Sequence, residues 1–137
     1  MRHRISRPRR ATATVELAVL LPFLVFLFVL AVDWARVFYY STIVTNSARQ
    51  GALYASDPAS QSQSPYASVS DAALADAGDL QPPPSVTTTS GVDAAGKSYV
   101  DVTVNWQFAT VTNYPVIGQS VQLSRTVRAR VSPDSPK

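Results

Sequence analysis

Side chains able to do acid–base, nucleophilic or metal chemistry are few in this chain and badly placed for it. The one histidine, His3, lies in an arginine-rich N-terminal stretch, and there is no cysteine. That leaves no Cys/His ligand spacing, no disulfide and no thiol chemistry, so the redox compartment is not readable. Asp71, Asp76, Asp79, Asp93 and Asp101 are scattered, and Asp93-Ala-Ala-Gly96 reads as a turn rather than a calcium loop. No catalytic set, metal site, cofactor or small-molecule substrate is expected, and the chain is not expected to be an enzyme. One carboxylate stands apart. Glu16 sits between a basic stretch and the apolar residues 17–32, which carry neither a charge nor a polar side chain. A carboxylate inside a bilayer is costly and is a functional candidate by default. Its position alone leaves two readings open: the snorkelling edge of an ordinary anchor, or one half of an intramembrane charge pair.

The element that positions Glu16 must be a membrane-spanning helix. Sixteen apolar residues make only ~24 Å of helix, against a hydrocarbon core of ~30 Å that usually needs ~20 residues. The run is long enough once the uncharged neck, residues 11–15, is added, and Glu16 then falls within the span near one end. Pro22 removes a backbone donor and crowds the carbonyl of Ala18, which predicts a kink. The charge is lopsided: residues 1–32 hold five arginines and one glutamate, +4, and the remainder carries −1. The alkaline pI therefore belongs to Arg2, Arg4, Arg7, Arg9 and Arg10. No basic face for nucleic acid is left elsewhere. The arginines read as a topology signal that keeps the N-terminus cytoplasmic and sends the C-terminus out.

The remaining chain divides by composition. Residues 1–11 are a basic, proline-broken leader. The helix does not stop at Asp33: Val37, Tyr40, Val44, Ala48 and Ala55 share one helical face, so one helix is expected to run over about residues 13–56, the segment 12–56 serving as span and stalk. Asp33 and Arg36 are expected to be solvated charges at the membrane boundary, and Trp34, Tyr39 and Tyr40 an aromatic belt. Asp57-Pro58 ends the helix. Residues 57–98 form a Ser/Pro-rich connection, with a short helix over 70–77 capped by Ser70 and a stiff run at Pro82, Pro83 and Pro84. Alternation over 99–108, and again over 121–131 where Arg125 breaks the apolar face, predicts two half-buried strands within a β region at 99–131, joined by a long connection, with a weaker strand at 85–89. Trp106 and Phe108 are expected in the core, and Arg125 at a strand edge. A polar tail occupies 132–137. The expected fold is α+β and membrane-anchored: a long N-terminal helix, transmembrane and then extracytoplasmic, packed on a small antiparallel sheet.

Arg9-Arg10-Ala11-Thr12-Ala13-Thr14-Val15-Glu16-Leu17-Ala18, then Leu21-Pro22, Asp33-Trp34-Ala35-Arg36, and Asn46-Ser47-Ala48-Arg49-Gln50-Gly51-Ala52-Leu53-Tyr54-Ala55 together resemble the TadE-like family. These are minor pseudopilins of tight-adherence (Flp) pilus systems. The resemblance covers 9–56, a little over a third of the chain, and is specific in combination rather than in any one piece. It implies a pilin-like fold and cleavage by an inner-membrane prepilin peptidase between Ala11 and Thr12, where family members usually carry glycine at the Ala11 position. Glu16 becomes the fifth mature residue, able to neutralise the new α-ammonium within or between subunits. The implied partners are the peptidase, other pilins and pseudopilins, the inner-membrane assembly platform and the bilayer. Asp33, Arg36, Asn46, Arg49 and Gly51 match family positions, the last three accounted for by default through packing of helix on sheet. The implied location is the bacterial inner membrane, single-pass, with possible incorporation into a pilus. Two rivals remain: an uncleaved bitopic protein with an extracytoplasmic binding domain, and a secreted protein with an ordinary signal peptide. Against the second, no small-x-small site follows the apolar run before Asp33 and Trp34.

Overall fold

The computed structural model describes residues 9–114 and 118–132. Helix α1 runs unbroken over Arg9–Ser56 and contains Pro22. It starts slightly before the expected boundary and ends on it. Its C-terminal carbonyls, which have no partner inside the helix, are met from elsewhere. The Ser56 hydroxyl donates to the Leu53 carbonyl, Gln61 donates its side-chain amide to Tyr54, and the Ser132 N–H donates to Ser56. The last of these ties the far end of the sheet to the end of the helix.

Two short helices follow. Part of the expected coil is helix α2, Pro58–Gln61. Helix α3 is Val69–Leu74, shorter and earlier than the expected 70–77. Its N-cap is Ser68, not Ser70: Ser68 has extended backbone and its hydroxyl accepts from the Asp71 N–H at 3.1 Å. Ser68 stands three residues before Asp71, the spacing of a capped first turn, whereas Ser70 is adjacent to it. Val69, the first helical residue, packs against the cluster around Ala52, Val100 and Val102.

The sheet has strands β1 (Ser85–Val92), β2 (Ser98–Tyr114) and β3 (Gly118–Arg130), antiparallel in the order β1-β2-β3. The weak strand expected at 85–89 thus extends to Val92. Residues 93–97 make a tight turn in which Asp93 Oδ1 accepts from the N–H groups of Ala95 and Lys97 and Gly96 takes a positive φ, open to glycine at little steric cost. The expected long connection between β2 and β3 is instead short: the ladder reaches Tyr114 paired with Gly118, with irregular register between Ala109 and Tyr114.

The two faces of the sheet separate by parity, as period two requires. Val100, Val102, Val104, Trp106 and Phe108 of β2 are buried, with Leu123 of β3, against Val44, Ala48, Ala52, Ala73, Ala77 and Leu80. The opposite face is polar. There Arg128 grips Asp101 through two bonds of 2.7 Å and lies 3.8 Å over the Tyr99 ring, while Thr103 and Thr126 pair their hydroxyls at 2.8 Å. The Arg128 guanidinium, donating to Asp101 and attracting it, holds that carboxyl below its ordinary range; Arg128 is shifted up by the same bonds. Tyr99 in turn covers Gly91, its Cα partner across the ladder, where a Cβ would come within 2.6 Å of the phenol oxygen.

Candidate functional site

The helix presents two surfaces of opposite kind. Over residues 12–28 every side chain is exposed, including Leu17, Leu20, Phe23, Phe26 and Phe28. Side chains that large and apolar cannot rest in water, and here no other part of the described fold covers them. Length and composition allow one crossing of a membrane within this helix, and none of its most apolar stretch is buried. Thr12, Glu16 and Pro22 all lie on this bare surface. Thr12 and Glu16 are four residues apart in continuous helix, so they share a face. Glu16 meets no cation among the described residues. Arg9, Arg10 and Ala11 have helical backbone, while Arg2, Arg4 and Arg7 lie outside the described residues. The scissile bond implied by the family resemblance therefore sits in helical backbone, followed by an exposed Thr12.

Where the apolar surface gives way to the packed one, the structure overturns an expectation. Asp33 is not a solvated boundary charge: it is 2% exposed. The hairpin formed by β2 and β3 reaches back along α1, and Asp33 Oδ1 accepts the Val111 N–H at 3.0 Å. Arg36, one helical turn on, lies 3.6 Å from the same oxygen and places its guanidinium 4.9 Å from the centre of the Phe108 ring. A buried carboxylate needs such partners to remain charged. Tyr40 also leaves the expected aromatic belt and stacks at 4.8 Å on Trp106 and 5.2 Å on Phe108. Trp34 and Tyr39 stay exposed. Trp106 and Phe108 are in the core as expected, with Trp106 Nε1 donating to the Pro82 carbonyl at 2.7 Å. Nothing local to the sequence pairs Asp33 with Val111, which is 78 residues away; only the length of the hairpin does.

The remaining family-pattern positions divide. Gly51 is explained by packing: a Cβ there would come within 3.0 Å of both Ala73 Cβ and Val102 Cγ1, so glycine permits the close approach of α3 and β2 to the helix. Asn46 and Arg49 are exposed, so packing of helix on sheet does not account for them. Arg125 does not merely snorkel at an edge. From the helix-facing side of β3 it donates to Ser41 Oγ on α1 at 2.8 Å and to the Ser124 carbonyl at 2.9 Å. Ser47, not singled out from the sequence, is wholly buried and its hydroxyl has no hydrogen-bond partner among the described residues.

Fold and surface together define a class: a single-pass membrane protein whose one long helix carries a small sheet on its second half and is bare on its first. Within that class, residues 11–53 match the family model described as TadE-like protein. The matched stretch is the segment that carries the resemblance in the sequence, and it stops short of the sheet. No curated protein and no solved structure matches the chain.

Proposed function

We propose that the protein is a minor pseudopilin-like structural subunit of a tight-adherence (Flp-type) pilus or a related secretion apparatus, assembled through the bare half of α1. The observation that carries this reading is Glu16: an exposed carboxylate on an otherwise apolar helix surface, four residues after Thr12 in continuous helix, inside the segment that matches the TadE-like model. The chain is made as an inner-membrane precursor with its N-terminus in the cytoplasm, and a prepilin peptidase cuts between Ala11 and Thr12. The new ammonium on Thr12 and the Glu16 carboxylate then neutralise one another, within a chain or between neighbours. Either charge left alone would oppose lateral packing in lipid. Pro22 gives the span room to bend as helices bundle. The sheet-bearing half faces outward and takes no part in chemistry; the role is initiation, capping or adaptation of a filament.

Mass determination of the N-terminus, with and without a co-expressed prepilin peptidase, tests the cut. Thr12 at the mature terminus is expected, and Ala11→Leu abolishes trimming. Met1 retained in the presence of an active peptidase would leave an uncleaved bitopic protein with an extracytoplasmic binding domain. Ala11, where glycine is usual, is the feature that favours this rival. Glu16→Ala is expected to insert normally yet lose co-isolation with pilin partners. Undiminished co-isolation would sink the pairing mechanism.

A further inference from the structure

Between α1, the turn that follows α3 and the inner face of β2 lies an open cleft of about 220 Å³, lined by Arg36, Tyr40, Asp79, Gln81, Trp106 and Phe108. Its aromatic wall is fixed by mutual packing. Tyr40 lies 4.8 Å from Trp106 and 5.2 Å from Phe108, and the last two rings are 6.0 Å apart, centre to centre. The turn opposite is fixed as well. Ala77 and Leu80 are buried on either side of Asp79, the Leu80 N–H donates to the Ala77 carbonyl, and Trp106 Nε1 donates to the Pro82 carbonyl. Asp79 is therefore held exposed at the rim by its neighbours on both sides.

Two charges of opposite sign line this cleft, and the fold does not use up either. The Arg36 side chain is 39% exposed, and its ion pair with Asp33, at 3.6 Å, is too long for a hydrogen bond. Its other contact is with the face of Phe108, so its N–H groups remain available. Asp79 forms no ion pair among the described residues. The balance of charge selects the ligand. One guanidinium stands against two carboxylates, Asp33 behind it and Asp79 at the rim. A lone anion would compete with Asp33 and be repelled by Asp79. A ligand that carries its own cation suits both ends, with an acid group on Arg36 and an ammonium on Asp79.

The height of the cleft indicates where such a ligand comes from. Residues 12–32 make about 30 Å of helix, the thickness of the hydrocarbon core. Arg36 then stands about 6 Å beyond the span and Tyr40 about 12 Å, while the headgroup layer adds about 5–8 Å on each side. The cleft thus begins within that layer. Arg36 is its membrane-proximal end. Asp79 lies in the turn tied to Trp106, which packs on Tyr40, and so belongs to the distal end. In a phosphoethanolamine lipid the phosphate likewise lies nearer the acyl chains and the ammonium further out.

From these observations we infer that the cleft binds the headgroup of a zwitterionic phospholipid of the phosphoethanolamine type. The phosphate is held by Arg36 and the ammonium by Asp79, and the acyl chains run down onto the bare surface of α1. The inference rests on the reading of residues 12–32 as a bilayer span. It adds to that span one specific lipid contact, which sets the rotation of the helix about its own axis and hence the direction in which the sheet faces.

Native mass spectrometry of the full-length protein in dodecyl maltoside, titrated with dioleoyl-phosphatidylethanolamine or dioleoyl-phosphatidylglycerol, tests this. The first phosphatidylethanolamine is expected to bind about tenfold more tightly than the first phosphatidylglycerol, as a hydrogen bond between charged groups allows. Asp79→Asn, at an exposed position, should keep the fold and make the two lipids equivalent. Arg36→Gln should weaken the first phosphatidylethanolamine about tenfold, with near-ultraviolet circular dichroism to establish that the sheet domain is intact. Arg49→Gln, an exposed charge elsewhere on α1, should change neither affinity. Equal binding of the two lipids by the wild type, or a preference that survives Asp79→Asn, overturns the inference. Displacement of the lipid by an equal concentration of soluble phosphoethanolamine would make the ligand a free phosphate ester and overturns the lipid assignment. Flotation with dioleoyl-phosphatidylethanolamine/phosphatidylglycerol vesicles separates the two readings. A protein that floats but shows no lipid preference keeps its span and loses the cleft site, and one that does not float loses both.

Discussion

The first and second halves of α1 are one continuous helix with the same regular backbone, yet they answer to different surroundings. Phe28, in the first half, is 70% exposed, while Tyr40 in the second packs against Phe108, itself 1% exposed. The difference lies in side-chain size around the helix. Residues 17–32 are large and apolar on every side, which suits a solvent that is the same in all directions. The second half confines its apolar residues to one stripe and buries small ones, Ser47, Ala48, Gly51 and Ala52, with α3 and β2 in close approach at Gly51. A helix apolar all round can be satisfied by lipid. One with a single stripe of small residues needs a partner cut to fit it. The two halves should therefore respond differently to the same substitution.

Removing a phenyl ring separates them most sharply. Phe108→Ala deletes a fully buried ring stacked on Tyr40 and Trp106 and is expected to destabilise the sheet domain by about 3–5 kcal/mol, the range for buried phenylalanine truncation. Phe28→Ala removes the same atoms from the bare half and should leave thermal unfolding of the sheet domain unchanged. Unfolding followed by near-ultraviolet circular dichroism in detergent micelles measures both. Equal losses in the two variants would mean that the halves are not energetically distinct.

The junction between the halves gives the next effect. Asp33→Ala leaves the Val111 N–H without its acceptor and is expected to cost about 1–3 kcal/mol. The loss should be concentrated in the hairpin end, seen as faster hydrogen exchange at Val111 and its neighbours, while the Val100–Val104 amides keep their protection. Asp33→Asn retains a carbonyl oxygen for that bond and should restore most of the protection at Val111. If the asparagine variant exchanges as fast as the alanine one, the charge and its interaction with Arg36 matter more than the hydrogen bond.

Legibility in the sequence follows the same division. The span, the length of α1, and strands β2 and β3 each announce themselves by local period, because burial on one face forces alternation or a helical stripe wherever it occurs. The order of the sheet and its placement on the second half of the helix follow from matching those apolar faces. Asp33 was misjudged because its identity as an acid at the end of an apolar run says water, and what buries it is a strand 78 residues away. The Ser68 cap was legible in the Ser68-x-x-Asp71 spacing and was passed over for the serine adjacent to the acid. Glu16 is the reverse case. It is conspicuous in sequence as the one acid beside an unbroken apolar run, and it forms no ion pair with a cation among the described residues.

The outer face of the sheet should report on pH. Asp101 is held below its ordinary range chiefly by the bonds from Arg128. A carboxyl lowered in the folded state contributes stability that is present above its unfolded value of about 4 and fades as pH falls through the lowered one. Acid unfolding of the wild type should therefore gain slope below pH ~4 relative to Asp101→Asn. The effect is small because the pair is exposed to solvent and salt, and raising ionic strength should shrink it further. Parallel acid titrations of the two proteins would contradict this assignment.

The smallest change is expected where the packed half keeps a polar group it does not use. Ser47 sits in the stripe of small residues with its hydroxyl buried and unpartnered among the described residues. Burying a hydroxyl without a hydrogen bond costs about 1–3 kcal/mol on mutational scales, so Ser47→Ala should be neutral or raise the unfolding temperature of the sheet domain. Alanine keeps the Cβ that fills the space and removes only the oxygen, and it is also the better helix former. Ser47→Val adds volume at a wholly buried position and should destabilise by about 1–3 kcal/mol through overpacking. The pair of substitutions separates space from polarity at one position. A loss of stability in Ser47→Ala would mean that the hydroxyl is hydrogen-bonded after all and that polarity, not only space, is used at this position.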